Sequence, residues 1–296
     1  MRRFAAEGAL VLAALLFGVT FPLVHDALAD IEPFAYLVLR FSIAVLVLGP
    51  FAVLVARRRG EDRRTLWRAG LIAGVLLGGG YAAQTVGLQL ISPSTSAFIT
   101  GLYVVLTPLV EGVVRRRLPP RPVLGGVLVA AVGLYPLTGA TPNLGTGELA
   151  TLACALLFAV WIVYQGEYAA RLHPIPFTTV QMVVVVAVCV PPTAGQGVGR
   201  LTGLALFAAA FTGIACSAVA LSLQVWGQRR LTPSRTALIL MLEPVFAAVA
   251  GYASGERLRA IELVGAAVIL GGIALAELST ARTRAVPHPE LEPHPF

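Results

Sequence analysis

Ten runs of mostly apolar residues, each near the 17 to 25 that a helix needs to cross about 30 Å of hydrocarbon, follow one another along the chain. They occupy residues 7–25, 34–56, 68–90, 94–114, 122–139, 147–168, 176–192, 202–227, 233–253 and 260–279. The bilayer interior offers no water to an unpaired peptide group, so runs of this kind must be helices that satisfy their own backbone. Composition agrees: the 296 residues are 57% hydrophobic and 12% charged, with a mean hydropathy of +0.82. The chain therefore reads as an all-α integral membrane protein. Arg2 and Arg3 before the first run give it the opening of a signal peptide. The run continues to Val24 without a small-residue cleavage site and similar runs follow, so it is expected to stay as the first span. Cys154, Cys189 and Cys216 lie inside runs without metal-like spacing and read as small packing residues. The tail 281–296, which ends "AVPHPELEPHPF", is expected to be disordered and cytoplasmic.

A net charge of +7 alone would fit a nucleic-acid partner, but its distribution excludes that reading. All 22 basic residues are arginine. With the N-terminus in the cytoplasm, the cytoplasmic side receives Arg2, Arg3, Arg57, Arg58, Arg59, Arg63, Arg64, Arg68, Arg115, Arg116, Arg117, Arg121, Arg171, Arg229, Arg230, Arg235, Arg282 and Arg284. Only Arg200, Arg257 and Arg259 face outward, and Arg40 is left within the membrane. This bias is a topology signal, and it puts both termini of a multi-pass inner (plasma) membrane protein in the cytoplasm.

Shifting the sequence against itself by about 140 residues reveals a repeat. "ALLFGV" at 14 matches "ALLFAV" at 155, and "QTVGLQLISPSTSA" at 84 matches "QVWGQRRLTPSRTA" at 224. Gln84 thus pairs with Gln224, Gly87 with Gly227, Pro93 with Pro233 and Ser94 with Ser234. "LTP" at 106 and "LEP" at 242 align only after a four-residue gap. Residues 1–140 and 141–280 each carry five spans. An odd number forces the halves to cross the membrane in opposite senses, the construction of inverted-repeat carriers with a site near mid-membrane. Aligned loops swap charge accordingly: Arg57, Arg58 and Arg59 fall opposite Gly197, Val198 and Gly199.

The segments "LLFGVTFPLVHDAL", "PFAYLVLRFSIAVLVL" and "LTPLVEGVV", with "LEPVFAAVAGYASGERLRAIELVGAAVILGGIAL" in the second half, are the residues that carry a family resemblance. Over residues 7 to 279 the chain resembles the drug/metabolite transporter superfamily in its ten-helix EamA-type branch. The resemblance implies two inverted five-helix repeats around a central cavity lined mainly by the first, third, fourth, sixth, eighth and ninth spans. It also implies a secondary carrier, often an exporter of amino acids or other small metabolites, working without a cofactor.

Polar groups at membrane depth are costly, which makes them the candidates for a substrate site. Gly74, Gly78, Tyr81 and Gln84 or Thr85 share one face of the third span by spacing, and Gly213, Cys216 or Ser217, Ala220 and Gln224 share one in the eighth. Either glutamine alone could simply bond a neighbouring helix; their equivalence in the repeat favours a cavity. Phe17, Tyr103, Trp161 and Tyr164, with Thr20 beside the first, suit an amphipathic ligand, although packing explains any one aromatic alone. Glu243 precedes Pro244 near the centre of the ninth span, where proline frees a carbonyl one turn back. Two roles fit it: a carboxyl that exchanges protons during transport, or a protonated acid that caps that carbonyl. Glu111, four residues before Arg115, reads as an interfacial ion pair. Arg40 lies shallow in the second span, where a fully central arginine would cost about 2.5 to 3.5 kcal/mol. It could hold a substrate carboxylate. The favoured reading is an outer-side anchor tied to carbonyls or to Asp26, Asp30 or Glu32, because the second span is peripheral in the family's cavity.

The resulting expectation is an exporter of small neutral, zwitterionic or amphipathic metabolites by alternating access, with the bilayer and a small solute as its partners. A homodimer is compatible with it. A sugar-phosphate or nucleotide-sugar exchanger would want several cations at depth, where Arg40 stands alone. An enzyme is not expected, since no paired acids, His-rich cluster or nucleophile with a base occur at depth. A non-transporting sensor would be expected to carry an output domain.

Overall fold

The structure, a computed structural model, describes residues 2–116, 121–137 and 144–284. These form ten helices: α1 (Phe4–Ala27), α2 (Pro33–Arg59), α3 (Arg63–Leu90), α4 (Pro93–Val114), α5 (Arg121–Leu137), α6 (Thr146–Ala169), α7 (Pro174–Gln196), α8 (Gly203–Gln228), α9 (Pro233–Ala253) and α10 (Ala260–Arg284). Eight are long and apolar enough to cross a membrane. In α5 and α10 the apolar parts among the described residues are shorter, Leu124–Leu137 and Ala260–Gly272. Among the described residues the one β pairing is an isolated antiparallel bridge between Ile31 and Gly199. α10 runs to Arg284, four residues into the tail expected to be disordered; residues 285–296 of that tail lie outside the described residues.

Helix starts follow local chemistry. α4 and α9 begin at the equivalent residues Pro93 and Pro233, where a missing N–H costs nothing, and Ser92 and Thr232 cap them by accepting the N–H of Thr95 and Arg235. α2 ends at Gly60, whose φ of 62° is the left-handed turn that glycine adopts freely.

Four helices are irregular at mid-depth. α1 breaks between Gly18 and Phe21, one turn before Pro22, whose ring crowds the Gly18 carbonyl and offers it no N–H. α9 breaks at Met241 for the same reason: Pro244 stands four residues after Leu240. α4 breaks at Gly101 and Leu102, and a Cβ on Gly101 would lie 2.7 Å from Pro244 Cγ. α8 widens into a π-helix over Gly213–Ala220, a form concentrated at functional sites.

The packing carries the repeat's symmetry. Gly87 of α3 lies against Gly147 and Thr151 of α6, and its equivalent Gly227 of α8 lies against Ala6 and Leu10 of α1. α1 packs on α9 as α6 packs on α4. The first helix of each half is thus held by the third and fourth helices of the other, so the halves interlock. α5 and α10 pair with each other through Gly133, Gly265 and Gly272, each placed where a Cβ would meet backbone of the partner helix at 2.8 Å or less.

Candidate substrate site

The irregular points of α1, α4 and α9 meet. A Cβ on Gly18 would lie 2.5 Å from the carbonyl oxygen of Glu243, and Gly101 abuts the following Pro244. Around this junction lies a cavity lined by residues of α1, α2, α3, α4, α6, α8 and α9. Of the expected site residues, Phe17, Thr20, Tyr81, Gln84, Tyr103, Trp161, Gln224 and Glu243 line it. Its volume is about 50 Å³, room for a few waters at roughly 10 to 15 Å³ apiece but not for a metabolite.

Phe158 forms the aromatic wall with Tyr81 and Trp161, its ring centroid 5.3 and 5.9 Å from theirs. It is the repeat mate of Phe17, so the aligned "ALLF" segments held the signal for it. Trp161 donates its indole N–H to Gln181 at 2.8 Å, which fixes the ring and leaves its face to the cavity. The Tyr103 hydroxyl donates to Glu243 Oε2 at 3.2 Å. The buried Gln224 Nε2 has no partner, a donor available to a ligand or water.

Three expectations need correction. Tyr164 does not line the cavity; it is three residues past Trp161, rotated off that face, and packs on Tyr168 with centroids 5.1 Å apart. Gly74 and Gly78 face Val184 and Val185 of α7, so only the far end of the predicted α3 face reaches the cavity.

Arg40 is the third. It is 5% exposed, lines the cavity, and touches none of the outer carboxylates. Asp30 instead pairs with Arg200. Arg40 Nε donates to Ser217 Oγ at 2.9 Å, and its guanidinium carbon lies 4.7 Å from the Tyr81 ring centroid. Ser217 therefore serves by bonding Arg40 and is fully buried behind the cavity wall. The physical reason is the approach of α8: a Cβ on Gly213 would sit 2.6 Å from the Arg40 carbonyl oxygen, so α2 is drawn onto the π-helical segment at the centre. Among the described residues no ion pair includes Arg40 or Glu243. One buried cation and one buried carboxyl, 7% exposed, thus share a cavity without ionic partners.

Two further carboxylates sit at opposite ends of the same helices. Ser94, at the start of α4, donates its hydroxyl to Glu256 Oε2 at 2.6 Å, just beyond the end of α9. Ser234, at the start of α9, donates to Glu111 Oε2 at 2.6 Å, near the end of α4. Glu111 also pairs with Arg115 at 3.1 Å, as its spacing led one to expect. Antiparallel α4 and α9 are thus fastened to each other at both ends by repeat-equivalent serines. No group of three or more His, Cys, Asp or Glu side chains that could hold a metal occurs among the described residues.

Comparison with known proteins fits this architecture. The model of the EamA-like transporter family matches residues 5–138 and again 145–278. The chain belongs to the EamA-like transporter family. It is 33% identical over 283 residues, 94% of its length and 87% of the relative's, to a protein of Archaeoglobus fulgidus named as an uncharacterized transporter. A solved crystal structure shares the fold, with a TM-score of 0.67 at 21% identity over 93% of this chain and 97% of the other. Within this family the chain is a membrane transporter, and its two EamA repeats are the two halves of the ten-helix bundle.

Proposed function

We propose that this EamA-family protein is a secondary carrier of small zwitterionic metabolites, amino acids foremost, that exports them across the plasma membrane by alternating access. The observation that carries the reading is a pair of opposite charge-bearing groups in one cavity, Arg40 on α2 and Glu243 on α9, each hydrogen-bonded only to neutral side chains and neither in an ion pair among the described residues. A substrate carboxylate would take the guanidinium, which presents planar paired donors, and a substrate ammonium would take Glu243. The Tyr81, Phe158 and Trp161 rings suit an apolar side chain between them. A lone cation favours a monocarboxylate over a phosphate dianion.

Alternating access is supported by the contracted cavity and the two fastenings. A cavity of about 50 Å³ must widen to admit an amino acid, and α4 and α9 are already jointed at its level. Opening toward either side requires releasing one serine–glutamate contact while the other holds. With the arginine-rich loops inside, Ser94–Glu256 closes the outer mouth and Ser234–Glu111 the inner.

The test is substrate-induced stabilisation of purified protein by a panel of amino acids, their decarboxylated amines, their deaminated acids and sugar phosphates. The intact zwitterion should raise the melting temperature and either half-molecule should not. Stabilisation by amines or sugar phosphates alone would overturn the substrate class.

A further inference from the structure

A larger hollow, about 440 Å³, opens between α2, α3 and α7 at the end of the bundle that carries Arg57, Arg58, Arg59, Arg63 and Arg64. Its walls are largely apolar, with Val45 and the exposed Val53 from α2, the buried Leu66 from α3, and the buried Val180 and exposed Val183 from α7. Its rim is charged, with Arg57, Arg63 and Glu61, and the half-exposed Trp67 stands beside them. Tryptophan at this level is the usual anchor at a headgroup boundary. The chain reverses at Gly60 and brings Glu61 inward, where its Oε1 accepts the backbone N–H of His173 at 2.6 Å. The other oxygen, Oε2, is buried and has no partner. Neither Arg57 nor Arg63 pairs with a carboxylate among the described residues.

We propose that this hollow binds an aminophospholipid from the leaflet on the arginine-rich side. One acyl chain fills the apolar part, the phosphate lies at Arg57 and Arg63, and the primary ammonium donates to Glu61 Oε2. Each part of the rim demands its counterpart. A buried carboxylate oxygen is costly without a donor, and paired guanidinium groups match phosphate oxygens. A rim of cations alone would fit any anionic lipid; the unsatisfied carboxylate oxygen on the same rim selects a headgroup that carries both signs. The hydrocarbon-lined interior, open toward the bilayer, selects a lipid over a soluble phosphate.

Native mass spectrometry of the purified chain, offered phosphatidylethanolamine, phosphatidylcholine and phosphatidylglycerol with matched acyl chains, tests the proposal. Phosphatidylethanolamine should be retained about tenfold over phosphatidylcholine, whose quaternary ammonium has no N–H to donate. Glu61→Gln should erase that preference while keeping an amide oxygen for the His173 N–H. Arg57→Ala combined with Arg63→Ala should lower retention of all three lipids by about tenfold or more. Gly49→Leu, at a position with open space around it, plugs the hollow and leaves every charge in place. It should displace the lipid from protein whose helical content is unchanged. Equal retention of the three lipids, a preference for phosphatidylglycerol, or retention unaffected by Gly49→Leu would overturn the proposal.

Discussion

Arg40 shows how far a residue's role depends on its neighbour's backbone. Depth counted along α2 alone makes it a shallow, peripheral charge. The missing information sits 173 positions away at Gly213, whose lack of a side chain lets α8 close onto the Arg40 carbonyl. By contrast, Glu243, Tyr81 and Trp161 were legible because a polar or amphipathic residue in the middle of an apolar run has few other uses. Tyr164 misled because a three-residue step turns a helix by about 60° off its starting face, enough to leave a narrow cavity. Two substitutions separate charge from position. Arg40→Lys keeps the charge but loses the planar fork and the stacking on Tyr81, and should abolish substrate stabilisation in protein of normal helical content. Ser217→Ala removes one charge-assisted hydrogen bond and should weaken substrate binding by about tenfold or more while leaving selectivity between amino acids intact. Titration of substrate against each variant checks both, and wild-type affinity in Arg40→Lys would remove Arg40 from the site.

At the scale of the helix, the sequence was most informative where proline acts. Pro22 and Pro244 each stand four residues after the point where their helix stops. The break in α4 was not legible, since it falls at Gly101 against Pro244 of another helix rather than at α4's own Pro108. The two fastenings were half legible: Ser94 and Ser234 align in the repeat, but Glu111 and Glu256 do not, because Glu111 falls opposite Gly251 in the register of the serines and opposite Ala247 in that of "LTP" and "LEP". Glu256→Gln and Glu111→Gln are therefore expected to act in opposite directions. The first should favour opening at the Ser94 mouth and the second at the Ser234 mouth, each by about tenfold in the balance of states. Labelling of single cysteines placed near each mouth reads this out, against a background in which Cys154, Cys189 and Cys216 are buried. The same shift from both variants would refute the latch.

The start of α7 has its own pH dependence. The His173 ring accepts the Ile175 N–H, and burial, with Arg59 and Arg229 nearby, holds its pKa below the ordinary histidine value. A lowered folded-state pKa makes the neutral ring the stabilising form, present above the unfolded value near about 6.5 and lost as the pH falls through the folded one. The protection of the Ile175 amide against hydrogen exchange, relative to the free-chain rate at each pH, should fall as the pH drops below the ordinary histidine value and should not change with pH in His173→Asn, which keeps a capping side chain.

For the whole molecule, the decisive pattern was parity. Five spans per repeat require inversion, and the mirrored contacts of Gly87 and Gly227 are what inversion looks like in the packing. The repeat could be read because the same helix-to-helix contact needs the same small residue on both sides of the axis. The alignment sets Arg40 opposite the apolar stretch around Val183, so the charge asymmetry was legible; what it could not reveal was that α2 brings this cation into the cavity, which no residue of its counterpart α7 lines. In the proposed reading, that asymmetry gives the substrate site its two unlike poles. Counterflow into liposomes loaded with unlabelled amino acid measures the consequence most directly. The wild type should accumulate labelled amino acid transiently, and Arg40→Gln and Glu243→Gln should each abolish the overshoot. Undiminished counterflow in both variants, or counterflow of sugar phosphates instead, would contradict the account.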